Sequence, residues 1–194
     1  AILCGALGKI HASQTTPLPV NDVLSDCQRL GISSLQDVKH IRKETTDNSG
    51  SAASDPTNGE RIFSAYGLSG ARGEAAAGFP SALQLGLPAL KTWTAAGFSL
   101  NDAAAMTLLT LISKVDDTNM IHRGGPELAK KSKEQAKHLL STVTKENFKD
   151  TLCALDSRYI RENLRPGGCA DLLAVSLMFY CLEDCGLLAP AASF

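Results

Sequence analysis

The chain has 194 residues, 44% of them hydrophobic and 20% charged, which is enough interior for one ordinary domain without a covalent staple. Nineteen Lys and Arg against 20 Asp and Glu leave a net charge of −1, so no global basic field points to nucleic acid and any polyanion has to be met locally. The longest apolar stretch, LLAVSLMFYCL at 172–182, falls short of the ~20 residues that span a bilayer and reads as a buried helix.

The chain opens AILCGALGKIHA, without methionine, polar lead-in or capping residue, as though it began inside a helix, so further sequence upstream is expected. Ser34 with Asp37 can begin a helix over DVKHIRK, and KETTDNSGSAASDPTNGE, residues 43–60, is expected to be one long polar loop. Ser99 with Asp102 heads LNDAAAMTLLTLISKV, and Pro126 suits the first position of a helix through ELAKKSKEQAKHLLS. Thr144 precedes KENFKDTLCALDSRYIREN, whose apolar residues recur at three and four, and Gly186 is a natural stop for ADLLAVSLMFYCLEDC. Nowhere do β-branched and aromatic residues alternate between turn signals as strands require. The expected fold is all-α, a compact multi-helix bundle in which residues 1–194 form a single domain.

Six cysteines without CxxC spacing fit reduced thiols, and with them a cytoplasmic location. Cys181 and Cys185 share a helical face, where they serve either as packed thiols or as part of a metal site that lacks nearby partners. The lysines from Lys130 to Lys149, interleaved with Glu127, Glu134 and Glu146, read either as a solvated, salt-laced helix face or as an anion-attracting rim.

Three clusters carry glycines beside charges at expected helix ends. In DDTNMIHRGG, residues 116–125, two aspartates stand where the helix from Ser99 should end, an unfavourable place for acids beside unpaired carbonyls. Either a cation offsets them, with Arg123, Gly124 and Gly125 gathering phosphate at the next helix N-terminus, or they cap and pair with Lys114 and Arg123. In LSGARGEAAAGFP, residues 68–80, Gly70, Gly73 and Gly78 permit close approach and Arg72 and Glu74 present opposite charges, as a ligand site or an internal ion pair. In RPGGCADLLA, residues 165–174, Pro166, Gly167 and Gly168 open the last long helix, with Asp171 expected in its first turn. GALGK at 5–9 lacks the spacing of a Walker loop, and no GxGxxG is present, so phosphate would be bound by helix ends.

TNGE at 57–60, YGLSGARGEAAAGFP at 66–80, DTNMIHRGG at 117–125 and PGGCADLLA at 166–174 resemble, in order and spacing, the triphosphoribosyl-dephospho-CoA synthase family over about residues 1–185. The resemblance implies a transferase that joins ATP to 3'-dephospho-CoA with release of adenine. Its product is the prosthetic-group precursor for the acyl carrier protein of citrate lyase or malonate decarboxylase. A dephospho-CoA hydroxyl would attack the anomeric carbon of ATP through an oxocarbenium-like transition state, with a carboxylate accepting its proton and Mg²⁺ holding the retained triphosphate. The implied carboxylates are Asp117, Glu74 and Asp171, the first two also as metal ligands. Arg72 and Arg123 would clamp triphosphate, Asn119 and His122 orient ribose or phosphate, and Gly73, Gly124, Gly125, Gly167 and Gly168 line the substrates. On this view Asp117→Asn lowers adenine release and leaves the fold intact.

Two departures stand out. The family's Pro-Gly-Leu-Val-Asp-like and Asn-Thr-His-Lys-Gly stretches would lie upstream of this chain, which is therefore expected to be truncated. Arg165 and Cys169 stand where serine is common, and Cys169 reads either as a simple replacement or as a low-pKa thiol at a helix N-terminus. Two other functions fit the clusters: a metal-dependent nucleotide or N-glycoside hydrolase, and a non-enzymatic helical binding module whose glycines only allow tight packing.

Overall fold

The computed structural model describes residues 19–29 and 58–188. The chain divides into two compact units, one formed by residues 1–79 with 181–194 and the other by residues 80–180. Every regular element among the described residues is helical, and the one extended feature is an isolated bridge residue, Leu188. No helix among them is long and apolar enough to cross a membrane. The helix expected over DVKHIRK and the opening segment lie outside the described residues.

In the first unit, α1 spans residues 20–29 and buries Val20, Val23 and Cys27, a three-and-four spacing that gives the helix one apolar stripe. Helices α2 (Asn58–Tyr66) and α3 (Gly70–Ala76) follow. Because α2 starts at Asn58, the expected 43–60 loop stops short of its last three residues, and the rest of it is outside the described chain. The Gln28 side chain donates to the Ala77 carbonyl at 3.1 Å and so ties α1 to the turn after α3. That turn reverses through Gly78, whose φ of +84 suits glycine.

The second unit begins with a helical stretch that widens into a π-turn at Ala82–Gly86 and tightens again as α4 (Leu87–Ala95). Pro88 has no N–H to return to the preceding turn, and Ser176 Oγ reaches the Ala82 carbonyl at 3.1 Å, so the wide turn loses little by leaving the regular pattern. Gly86 lies directly against Ser176. Trp93, Phe98 and Phe148 then stack edge to face at centroid distances of 5.4 and 5.0 Å, joining the end of α4 to the start of α7.

Helix α5 (Leu100–Lys114) starts as its sequence indicates. The Ser99 hydroxyl accepts the Asp102 N–H at 3.2 Å and in turn bonds the Asp102 carboxylate at 2.8 Å. Its buried residues, among them Ala103, Met106, Leu109, Leu111 and Ser113, occupy most of its circumference, and it packs against both α4 and α6. Helix α6 (Thr118–Thr142) is two helical stretches joined across a kink at Gly125, with φ 78 and ψ 167, so Pro126 does open a helix as its sequence suggests. Helix α7 (Phe148–Arg161) starts three residues later than the Thr144 signal. Asn147 is its N-cap residue, and the Asn147 side chain accepts the Thr144 N–H at 2.7 Å. Helix α8 (Gly167–Asp184) buries Cys169, Leu172, Ser176 and Phe179 along one stripe and stops before Gly186, where φ is +67.

Candidate functional site

The link between α5 and α6 is only Val115, Asp116 and Asp117, and extended backbone at Val115 and Asp117 turns the chain sharply. Asp117 is 4% exposed and caps the helix that follows it. Its Oδ1 accepts the N–H groups of Asn119 at 2.8 Å and Met120 at 3.1 Å, while Oδ2 accepts the N–H of Cys169 at 2.7 Å. One carboxylate therefore serves the positive ends of α6 and α8 at once, which answers why an acid stands just past the C-terminus of α5.

The glycines follow from this clasp. A Cβ on Gly168 would lie 3.2 Å from Asp117 Oδ2, and one on Gly167 would lie 2.5 Å from Asn119 Nδ2. A Cβ on Gly124 would fall 2.6 Å from a Leu164 methyl. The Asp-Thr-Asn and Pro-Gly-Gly segments, 49 residues apart in sequence, are thus packed backbone against side chain. Arg123 donates to Asn163 Oδ1 at 3.4 Å, a long contact that leaves both side chains exposed. Asn119 and His122 are exposed as well.

Several expectations change here. Asp116 pairs with Lys133 at 2.7 Å rather than with Lys114 or Arg123. Asp171 lies in the second turn of α8, not the first, and is exposed. Cys169 is fully buried, and burial, followed by the charge of Asp117, pushes its thiol far above the usual range, which overturns the low-pKa reading. Arg72, Gly73 and Glu74 lie in α3 of the first unit. The magnesium expected at Asp117 has a poor fit, because both oxygens are already engaged and the carboxylate is buried. Among the described residues no group of three or more His, Cys, Asp or Glu could hold a metal ion.

Two concavities adjoin the clasp. One, of about 520 Å³, is mostly apolar, with Leu108, Ile112, Leu155 and Leu164 in its wall and Asn163 and Arg165 among its polar residues. The other, of about 420 Å³, brings Asp116 and Asp117 together with Lys130, Lys133 and Lys137. Sequence reasoning did not place these lysines in the site, although their spacing of three and four was a visible signal that they share a face.

Known proteins resemble the chain over most of its length. The profile described as CitG, ATP:dephospho-CoA triphosphoribosyl transferase, matches residues 1–188. A probable 2-(5''-triphosphoribosyl)-3'-dephosphocoenzyme-A synthase of Vibrio cholerae serotype O1 is 35% identical over 184 residues, covering 92% of this chain and 55% of the relative. A protein of the same description from Streptococcus equi subsp. zooepidemicus is 35% identical over 188 residues, 95% of this chain and 63% of its own length. The 2-(5''-triphosphoribosyl)-3'-dephosphocoenzyme-A synthase of Pectobacterium atrosepticum is 39% identical over 140 residues, 72% of this chain and 44% of its own. No solved structure matches. The chain, whose described elements are helices with two tips clasped through these motifs, belongs to the CitG family of ATP:dephospho-CoA triphosphoribosyl transferases. It spans between 44 and 63% of the length of these three relatives.

Proposed function

We propose that the chain carries the triphosphoribosyl transfer site of its family: the 2'-hydroxyl of 3'-dephospho-CoA attacks the anomeric carbon of ATP's ribose. The new C–O bond forms as the C–N bond to adenine breaks. The hydroxyl proton passes to a carboxylate, the departing adenine nitrogen keeps the electron pair of the broken bond and takes one proton from solvent to leave as neutral adenine, and the triphosphate stays on the transferred ribose. The observation that supports this most is the Asp117 carboxylate, which locks the two most specific family segments together at two helix N-termini.

In this reading Asp117 is a positioning residue rather than the base, because its lone pairs face backbone N–H groups. Asp171, exposed on α8 and two residues beyond the clasped Cys169 N–H, is the acid assigned to the hydroxyl proton. Arg123 clamps phosphate, Asn119 and His122 orient ribose or phosphate, and Gly125, with open space where a side chain would stand, lets substrate approach the backbone, while Gly124, Gly167 and Gly168 hold the surrounding segments close. The parts of Arg72, Gly73 and Glu74 in the first unit are read from their own variants. The product would go on to modify the acyl carrier protein of citrate lyase or malonate decarboxylase.

The test is adenine release from ATP with and without dephospho-CoA, with the adduct identified by mass. Release that requires dephospho-CoA supports the transferase. Release without it marks a hydrolase, and no nucleotide binding marks a packing module.

A further inference from the structure

The kink at Gly125 makes α6 bend around the second concavity. Met120 from its first stretch and Lys130, Lys133 and Lys137 from its second line the same hollow of about 420 Å³, with Asp116 also in its wall. Three lysines spaced by three and four residues on one helix face thus line a single hollow, which also reaches the start of the helical stretch at Pro126.

The acids of the hollow are Asp116, Asp117 and Glu134. Asp117 is turned toward the N–H groups it caps. Asp116 holds Lys133 and Glu134 holds Lys137, each at 2.7 Å, but both carboxylates are about 60% exposed at their side chains, at 60% and 59%. Pairs this open contribute little, so the lysines can exchange a carboxylate for a multivalent anion at small cost. Lys130 is in no ion pair among the described residues.

We infer that Lys130, Lys133 and Lys137 seat the polyphosphate chain of the nucleotide; this rests on the transferase reading. A linear chain of phosphates has the oxygens to meet three ammonium groups in a row, which a carboxylate or single phosphate does not.

The experiment measures calorimetric binding of inorganic tripolyphosphate to the 194-residue chain, to Lys133→Gln/Lys137→Gln, and to Lys131→Gln/Lys149→Gln. The second pair removes the same charge from exposed lysines outside the hollow. The seat requires wild-type binding that falls at least about tenfold in the first variant and stays within about twofold in the second. Absence of wild-type binding, or equal loss in both variants, overturns it. Selective loss of tripolyphosphate binding in a chain that releases no adenine would leave the seat standing and remove the transferase reading. An unchanged KM for ATP in Lys133→Gln/Lys137→Gln, with adenine release intact, would do the reverse.

Discussion

Asp117 Oδ2 accepts the backbone N–H of Cys169 at 2.7 Å while Oδ1 holds two N–H groups of its own helix, so a single side chain fixes the distance between the tips of α6 and α8. Asp117→Ala leaves these donors without their acceptor in a buried place. It is expected to lower stability by about 2–4 kcal/mol in urea unfolding. Asp117→Asn keeps an oxygen for one helix and sets an amide N–H₂ against the other donor. The structure therefore replaces the expectation of an intact fold with a loss intermediate between wild type and Asp117→Ala. Wild-type stability in the alanine variant would show that the clasp is dispensable.

Gly167 and Gly168 are expected to respond differently to alanine. At Gly168 the new methyl meets the buried Asp117 carboxylate at 3.2 to 3.3 Å, and that carboxylate is held by three donors and has no room to retreat. At Gly167 it meets Asn119, an exposed side chain that can swing away. Thermal unfolding should therefore show the larger drop, about 1–3 kcal/mol, for Gly168→Ala, with Gly167→Ala affecting ligand binding more than stability. The opposite ranking would mean that the contact with Asp117 is looser than described.

The tightest glycine in the second unit is Gly86, where a Cβ would lie 2.0 Å from Ser176 Oγ and 2.9 Å from Ser176 Cβ. Gly86→Ala should destabilise by at least about 2 kcal/mol, and adding Ser176→Gly should restore part of it by making room on the other helix. Additive losses in the double variant would refute steric conflict as the cause.

Thiol chemistry separates the cysteines. Burial, then the charge of Asp26, pushes Cys27 up to about 11, and Cys169 is raised still further by burial and Asp117. Because the thiolate is the reactive form, raised pKa values suppress its fraction at pH 8, and closure of the site suppresses access as well. Peptide mapping after brief alkylation at pH 8 should find Cys153, Cys181 and Cys185 labelled and Cys27 and Cys169 protected until the chain is unfolded. Rapid native labelling of Cys169 would contradict the burial that the clasp depends on.

Local signals were the legible part of this chain. Ser99 with Asp102, Pro126, the Pro-Gly-Gly start and Gly186 each act within a turn or two, and each marks the helix boundary that its chemistry implies. Helix α1 has the right period at Val20, Val23 and Cys27, but its stripe is too short to stand out in the sequence. The π-turn was out of reach, since what favours it is Ser176, about 90 residues away. For the same reason the sequence could name Asp117, Gly167 and Gly168 as site residues without revealing that they touch, and could list the lysines without showing that three of them share a hollow with Asp116. Asp171 sits one turn further into the helix than its sequence position after the glycines suggests, because the helix begins at Gly167 itself.

The most direct test of the central claim uses residues that can be changed without disturbing the fold. Asn119 and Arg123 are exposed beside the clasp; the Asn119 side chain rests on Gly167, from which it can swing away, and Arg123 makes one long hydrogen bond to Asn163. Dephospho-CoA-dependent adenine release should fall by about tenfold or more in Asn119→Ala and in Arg123→Ala, with unfolding midpoints like that of the parent chain. Parent-like turnover in both variants would contradict the placement of the reaction at these helix tips.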